Sequence, residues 1–272
     1  MHLVALVSDD PDVLHAVRSF RDAAGRFHLH PVSGSGMAEL FRALPRLDFA
    51  GALVLDEGKQ AEAQRLADRS SLEAQELGAA DTLTVTQAGV IADHSFGRAL
   101  ASLLASRRWD AAGSKAVILG TGPTARAVAR ELVSLGCSSL TVLSRDRVAA
   151  EKVLPVGAGA ALLARSLADP VAKTMLELAD LVVRIDPVPR LPVEALGPHL
   201  TIVDLQSDSV SEVRKQAMAA GAMTFNRRDV EAYRLEVDAG ILCDRIGYLF
   251  ATDQREIGYQ SRINREAIQH GE

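Results

Sequence analysis

The stretch KAVILGTGPTARAVARELVSLGCSSLTVLSR, Lys115 to Arg145, decides the fold. An apolar run from Ala116 to Leu119 meets Gly120, Gly122 follows two places later, and an Ala-rich segment at helical spacing leads to a second apolar run, Leu140 to Ser144. The pattern predicts strand, tight turn, helix, strand. Gly120 permits the turn, Gly122 lets the backbone approach an anionic group, and Ala125 stands where a third small residue allows close helix–strand packing, giving G-x-G-x-x-A. The first N–H groups of such a helix are unpaired and face the turn, where a diphosphate fits. Gly120, Thr121, Gly122, Pro123, Thr124 and Ala125 are therefore read as a dinucleotide cradle. Pro123 is tolerated at the helix start but removes one phosphate donor, which the Thr124 hydroxyl can replace.

The far end of this unit speaks to which dinucleotide. An NAD site usually closes its second strand with Asp or Glu, whose carboxylate accepts the ribose hydroxyl; this strand closes with Ser144 and Arg145. A guanidinium meets a 2′-phosphate with a planar fork, and Arg147 can assist. The expected cofactor is NADP. NAD stays possible because Asp146, one place on, can turn inward.

Composition bounds the rest. The 272 residues suffice for two modest domains. With a net charge of −5 and no basic block, nucleic acid is not an expected partner. No window reaches membrane-span length and the N-terminus turns acidic at Asp9, so a cytoplasmic protein is expected, with a small-molecule substrate and a monomeric or homodimeric state. Cys137 and Cys243 are too few for a disulfide framework or a zinc site, and no histidine spacing suggests a metal.

Upstream, Leu3–Val7, Phe27–Val32 and Phe49–Leu55 read as strands, with helices over Val13–Ala24 and Met37–Leu44 between them. This predicts a parallel α/β unit with its own sheet ahead of the glycine motif. A polar helix over Gln60–Gln75, a loop through Gly89, a helix over Phe96–Arg107 and a hinge at Trp109–Gly113 follow. Downstream, Ala160–Leu178 reads as helical, Leu181–Ile185 and Leu200–Leu205 as strands, Val210–Ala220 as a helix stopped by Gly221, and Asp229 onward as helical, with a solvated tail from Asp253.

In this order the motifs resemble the shikimate dehydrogenase family. Gly51-Ala-Leu-Val-Leu-Asp-Glu-Gly-Lys59 is similar to its G-x-N-V-T-x-P-x-K, Gly78-Ala-Ala-Asp-Thr82 to its G-A-x-N-T, and Gly89 to Asp93 falls where its N-T-D-G loop lies. Gly120 to Ala127 resembles G-A-G-G-A-A-R-A, Ala179-Asp-Leu-Val182 the A-D-L-V-I-N-A-T-P strand, and Val203-Asp204 a V-x-D segment. The resemblance implies an α/β fold of two domains: an N-terminal α/β substrate domain over 1–107, a Rossmann NADP-binding domain over 108–238, and C-terminal helices from 239–272 returning to the first domain. It also implies a catalytic dyad, Lys59 as proton acceptor and Asp93 orienting it. A lysine paired with a carboxylate in a partly dry cleft can take the proton of a secondary alcohol as hydride leaves.

The positions that would read the substrate depart from the pattern. The S-x-S pair is absent from Val7-Ser-Asp-Asp-Pro11, Leu53 and Leu55 replace Asn and Thr, Asp81 and Ile91 replace two further Asn, and Ser207 stands in for a Tyr. A site built to bond hydroxyls loses orders of magnitude when those partners go, so shikimate itself is not the expected substrate. One reading is an NADP-dependent oxidoreductase for another secondary alcohol or ketone, its pocket lined by Asp9, Asp10, Asp56, Glu57 and Asp81. The alternative is a catalytically inactive nucleotide-binding paralogue; a folate-linked methylene dehydrogenase ranks third. Arg184 and Asp186 form an unexpected charged pair near the nicotinamide end, read as a local ion pair or as crowding the cofactor, and His94 is read as an exposed loop residue, with a proton relay as the other option. Tyr233 and Arg234 lie near the family's substrate-binding glutamine.

Overall fold

Alternation of apolar runs with helical segments produces two six-stranded sheets. The computed structural model describes residues 2–9, 26–156, 159–187, 191, 195–206 and 211–245. The helix expected over Val13–Ala24, together with Asp10, Ser207 and the tail from Asp253, lies outside them. The first sheet contains β1 (His2–Val7), β2 (Phe27–Val32), β3 (Phe49–Val54), β4 (Arg69–Ser70), β5 (Thr82–Thr86) and β6 (Gly89–Asp93), in the order β2-β1-β3-β5-β6-β4. The second contains β7 (Lys115–Leu119), β8 (Ser139–Ser144), β9 (Ala161–Ser166), β10 (Leu181–Arg184), β11 (Thr201–Asp204) and β12 (Met223–Asn226), in the order β12-β11-β10-β7-β8-β9. All five pairings of this sheet are parallel, and its order reverses between β7 and β10. That is the doubly wound dinucleotide-binding arrangement, with its crevice at the reversal point.

The first sheet is mixed where a parallel unit was expected. β1 pairs in parallel with β2 and β3, but β5 and β6 form an antiparallel hairpin whose β5 runs against β3. The segment after β3 is also not one helix. Helix α2 (Glu57–Leu66, after α1, Met37–Ala43) stops, β4 follows, and α3 (Leu72–Leu77) starts afresh, because Ser71 caps α3 by accepting from the Ala74 N–H and Asp68 accepts from the Val90 N–H at the sheet edge. Ala161–Ser166, expected in a helix, is drawn into β9 because its backbone completes the edge of β8; sheet pairing overrides its helical composition. The hinge expected at Trp109–Gly113 is stitched to the turn after the next helix: the Gly113 N–H donates to the Gly136 carbonyl and Ser138 Oγ to the Gly113 carbonyl.

The remaining helices are α4 (Phe96–Ser106), α5 (Pro123–Ser134), α6 (Arg147–Glu151), α7 (Val171–Glu177), α8 (Glu212–Ala219) and α9 (Arg227–Arg245). Leu100, Leu103 and Leu104 of α4 are buried with Val128 and Leu132 of α5 and with strands of the second sheet. At roughly 1.5–3 kcal/mol each, those leucines fasten α4 to α5. The two helices touch most closely at Gly97, where a Cβ would lie 2.7 Å from the Ala127 carbonyl oxygen. Helix α9 straddles both sheets: Val230 joins the second sheet's core, while Leu235, Ala239, Leu242 and Cys243 cover Val4, Leu6, Leu53 and Leu55 of the first. The opposite face of the first sheet packs on α1 and α2 through Met37, Leu40 and Ala63. Among the described residues no helix is long and apolar enough to cross a membrane.

Gly51 marks the tightest contact under α9. A Cβ there would sit 2.1 Å from the Leu83 carbonyl oxygen and 2.6 Å from Leu242 Cδ2. Gly51→Ala is expected to lower stability by about 2–4 kcal/mol, read as a lower urea midpoint with an unchanged slope.

Candidate functional site

The first turn of α2, after β3, meets the first turn of α5 through Glu57 and Thr124, and the segments that follow β1 and β2 lie beside Lys59. Gly120 adopts φ +134° because the chain after β10 passes against it: a Cβ at Gly120 would lie 2.7 Å from the Asp186 backbone N. Gly122, φ +96°, opens onto free space, so a ligand's backbone can approach it, and Pro123 occupies the helix start as expected. Beside this turn lies a cavity of about 150 Å³ lined by Gly120, Leu143, Ser144, Arg145, Leu167, Asp186 and Pro187. The structure thus brings the glycine turn and the Ser144–Arg145 strand end together. Asp146 does not turn into this cavity; its Oδ1 accepts from the Val148 N–H at 2.8 Å and caps α6. Arg145 is exposed, whereas Arg147 is held by Glu151 at 3.0 Å. The residues present fit a dinucleotide: an open glycine turn, helix N–H groups facing it, and a cation beside a cavity.

Arg184 and Asp186 do not pair with each other. Arg184 Nη1 donates to both oxygens of Asp204, at 3.1 and 2.9 Å, and Ser211 Oγ and the Gln206 N–H complete that carboxylate's partners. Arg184 and Asp204 are register partners in neighbouring strands, which places the fork against the carboxylate. Asp186 instead forms a wall of the cavity beside Gly120.

Lys59 lies in the first turn of α2, half-buried beside Gly34; a Cβ on Gly34 would be 3.7 Å from Lys59 Cγ and 3.6 Å from an Asp9 carboxylate oxygen. Asp93 is elsewhere. It faces Thr82 across the hairpin, and both side chains reach α9: Thr82 Oγ1 donates to Asp238 at 2.7 Å, and Arg245 donates to Asp93 through Nε and Nη2 at 3.2 and 3.1 Å. Helix α2 packs on the other face of the same sheet. No hydrogen bond or ion pair joins Lys59 to Asp93 among the described residues; Asp93, at the end of β6, fastens the last turn of α9 through Arg245.

Each described carboxylate of the expected acidic lining has a partner in the chain. Asp9 accepts from Ser33 Oγ and the Gly34 N–H, Asp56 caps α2, and Glu57 accepts from Thr124 Oγ1. Asp81 is completely buried; its Oδ1 accepts from the Ser95 N–H at 2.8 Å, its Oδ2 from the Phe96 N–H at 3.2 Å, and so it caps α4 from a distance. His94 is not an exposed loop residue. It is buried, with Nδ1 3.6 Å from Asp81 Oδ2, and its burial, assisted by Arg234 and Arg98, holds its pKa below the usual value despite Asp81.

What the sequence reading missed is the group around Arg234. This side chain, 1% exposed, donates through Nη1 to Glu231, through Nη2 to the Val54 carbonyl at 3.1 Å, and lies 3.6 Å from Asp81 and 3.9 Å from Asp238. Burial opposes its charge, but the three carboxylates outweigh burial and push its pKa up. The available signal was the Glu231, Arg234, Asp238 spacing, which puts three charges on one helix face.

No family model matches the chain. The NADP(+)-dependent shikimate dehydrogenase of Paracoccus denitrificans is 32% identical over 195 residues, covering 67% of each chain. The chain belongs to the shikimate dehydrogenase family. The enzyme of the same name from Dinoroseobacter shibae is 37% identical over a shorter span, 44% of each chain. In fold, the chain is similar to the ligand-free 5-ketofructose reductase of a Gluconobacter species (TM-score 0.73, 20% identity, 90% of this chain and 94% of that one). It is equally similar to the Listeria monocytogenes shikimate 5-dehydrogenase in complex with shikimate and NAD (TM-score 0.73, 14% identity, 89% and 91%). Against the family's pattern, the altered positions are closed off: Leu53 and Leu55 are buried with Leu235 and Leu242 beneath α9, and Asp81 belongs to the Arg234 group.

Asp238 gives that group a measurable signature. Burial, with Asp81 adding to it and Arg234 opposing, raises its pKa from the ordinary 3.8 to about 7. Between those values the folded chain keeps a proton that the unfolded chain releases, so stability falls as pH rises from about 4 to about 7. Asp238→Asn removes this term: its stability relative to wild type is expected to climb across that window by up to about 1.4 kcal/mol per pH unit, read from urea unfolding at each pH.

Proposed function

We propose that this chain is an NADP(H)-dependent oxidoreductase acting on a secondary alcohol or its ketone, with a substrate other than shikimate. The observation that carries the cofactor assignment is the disposition of charge after β8: Arg145 stands exposed at a cavity next to the glycine turn, while Asp146, the one carboxylate that could have selected NAD, is used as a helix cap. Family membership supports the oxidoreductase class. We take residues 1–107 with 239–272 as the substrate-binding part and 108–238 as the cofactor-binding part, a division supported by the two separate sheets.

In this reading Gly120, Thr121, Gly122, Pro123, Thr124 and Ala125 hold the diphosphate, and Ser144 and Arg145 the phosphorylated ribose. The bound dinucleotide supplies or accepts the hydride. Lys59 moves the proton: its amine takes it from the alcohol oxygen as the carbonyl forms, and its ammonium returns it in the reducing direction. The Asp93 carboxylate is held by Arg245, so Lys59 is taken to act without a directly bonded carboxylate. The closure of Leu53, Leu55 and Asp81 supports a substrate with fewer hydroxyls than a polyhydroxylated ring acid.

Two measurements test this. Titration with NADPH and NADH is expected to show tighter NADPH binding, and Arg145→Ala to weaken NADPH by about tenfold or more while leaving NADH nearly unchanged; equal affinities in wild type would overturn the assignment. In steady-state assays with NADPH and a ketone panel that includes 5-ketofructose, Lys59→Ala is expected to lower kcat by about 10²–10⁴. An unchanged rate would remove Lys59 from the mechanism.

A further inference from the structure

The helix end that would take the diphosphate already has an anion on it, and that anion comes from across the cleft. Glu57, in the first turn of α2, accepts a hydrogen bond from Thr124 Oγ1 in the first turn of α5. Its own helix does not need it, since Asp56 already caps α2 through the Gly58 N–H. Thr124 is 4% exposed, and its one hydroxyl proton is committed to Glu57. Because Pro123 has no N–H, the α5 terminus is short of one donor, and the Thr124 hydroxyl counts for more there than at an ordinary glycine turn. A second acceptor arriving at this terminus meets both a spent donor and a like charge.

A second partner for Glu57 lies close by. Arg227 Nη2, at the start of α9, is 3.8 Å from the same Glu57 oxygen, and Arg227 Nε is 3.9 Å from Glu231. The Glu57 carboxylate therefore has somewhere to go without being left unpaired.

We propose that Glu57 gates the cofactor site: its carboxylate occupies the α5 terminus while the site is free, and shifts onto Arg227 when the diphosphate enters. The inference rests on the dinucleotide reading above and adds to it a competitor built into the chain. Because α2 belongs to the first sheet and α5 to the second, the same exchange releases a tie between them, so cofactor entry and loosening of the cleft are one event.

The test uses the full chain and two variants. Glu57→Ala removes the carboxylate, and Glu57→Gln keeps an acceptor for Thr124 but removes the charge. NADPH affinity, read by the fluorescence change of the reduced nicotinamide, is expected to tighten by about tenfold in Glu57→Ala and by a smaller factor in Glu57→Gln, the size of a carboxylate's interaction with a helix N-terminus. Adenosine 2′-monophosphate, which carries the 2′-phosphate but no diphosphate, is expected to bind wild type and both variants equally. Unchanged or weaker NADPH binding in folded Glu57→Ala and Glu57→Gln overturns the gate. So does an equal gain for adenosine 2′-monophosphate, which marks a general charge effect. If neither wild type nor the variants bind NADPH or NADH, the dinucleotide reading itself fails and the gate with it, an outcome distinct from wild type binding with no gain in the variants.

Discussion

The buried guanidinium of Arg234 is the constraint on which the rest of the molecule depends. A fully desolvated cation is tolerable only if its charge is answered, and here the carboxylates of Glu231, Asp81 and Asp238 and the Val54 carbonyl surround it. These partners come from three parts of the architecture: Glu231 and Asp238 from α9 itself, Asp81 from the entry to β5, and Val54 from the end of β3. Asp81 carries the constraint further, because its Oδ2, which faces Arg234 and His94, also accepts from the Phe96 N–H of α4, and its Oδ1 from the Ser95 N–H before it. Helix α4 in turn packs on α5, which begins directly after the glycine turn beside the cavity. One buried charge thus fixes α9 on the first sheet and sets where α4 begins.

The same network accounts for how the positions that depart from the family's pattern are packed. With Leu53 and Leu55 under α9 and Asp81 tied to Arg234, this region is filled by an apolar cluster and an internal ion pair. Returning a single polar residue there would leave it buried without a partner, at a cost comparable to what it could gain from a ligand. The departures from the family's pattern are coupled through packing.

Much of this was legible in the linear chain. The glycine turn with its flanking strand and helix, the Ser144–Arg145 ending and the ordered motifs gave the second sheet and the family, because those signals are local: glycine geometry and apolar periodicity act within a few residues. The fate of each carboxylate was not legible. Asp93 sits at a plausible spacing from Lys59, but its carboxylate is held by Arg245; Asp146 stands where an NAD-selecting acid could stand, but it caps the next helix; Glu57, an ordinary helix-start acid in sequence, bridges to Thr124.

The sequence by itself determined which segments become strands and helices around the glycine turn, and which ionisable groups the chain carries, since backbone propensity and burial periodicity are properties of neighbouring residues. Only the tertiary structure decided which of those groups are spent on each other and which are left for a ligand. The reason is physical: a charge seeks its nearest answer in space, and the partners of Arg234, Asp93 and Glu57 lie up to 180 residues away along the chain, brought within hydrogen-bond reach by the packing of α9 and α5 on the two sheets.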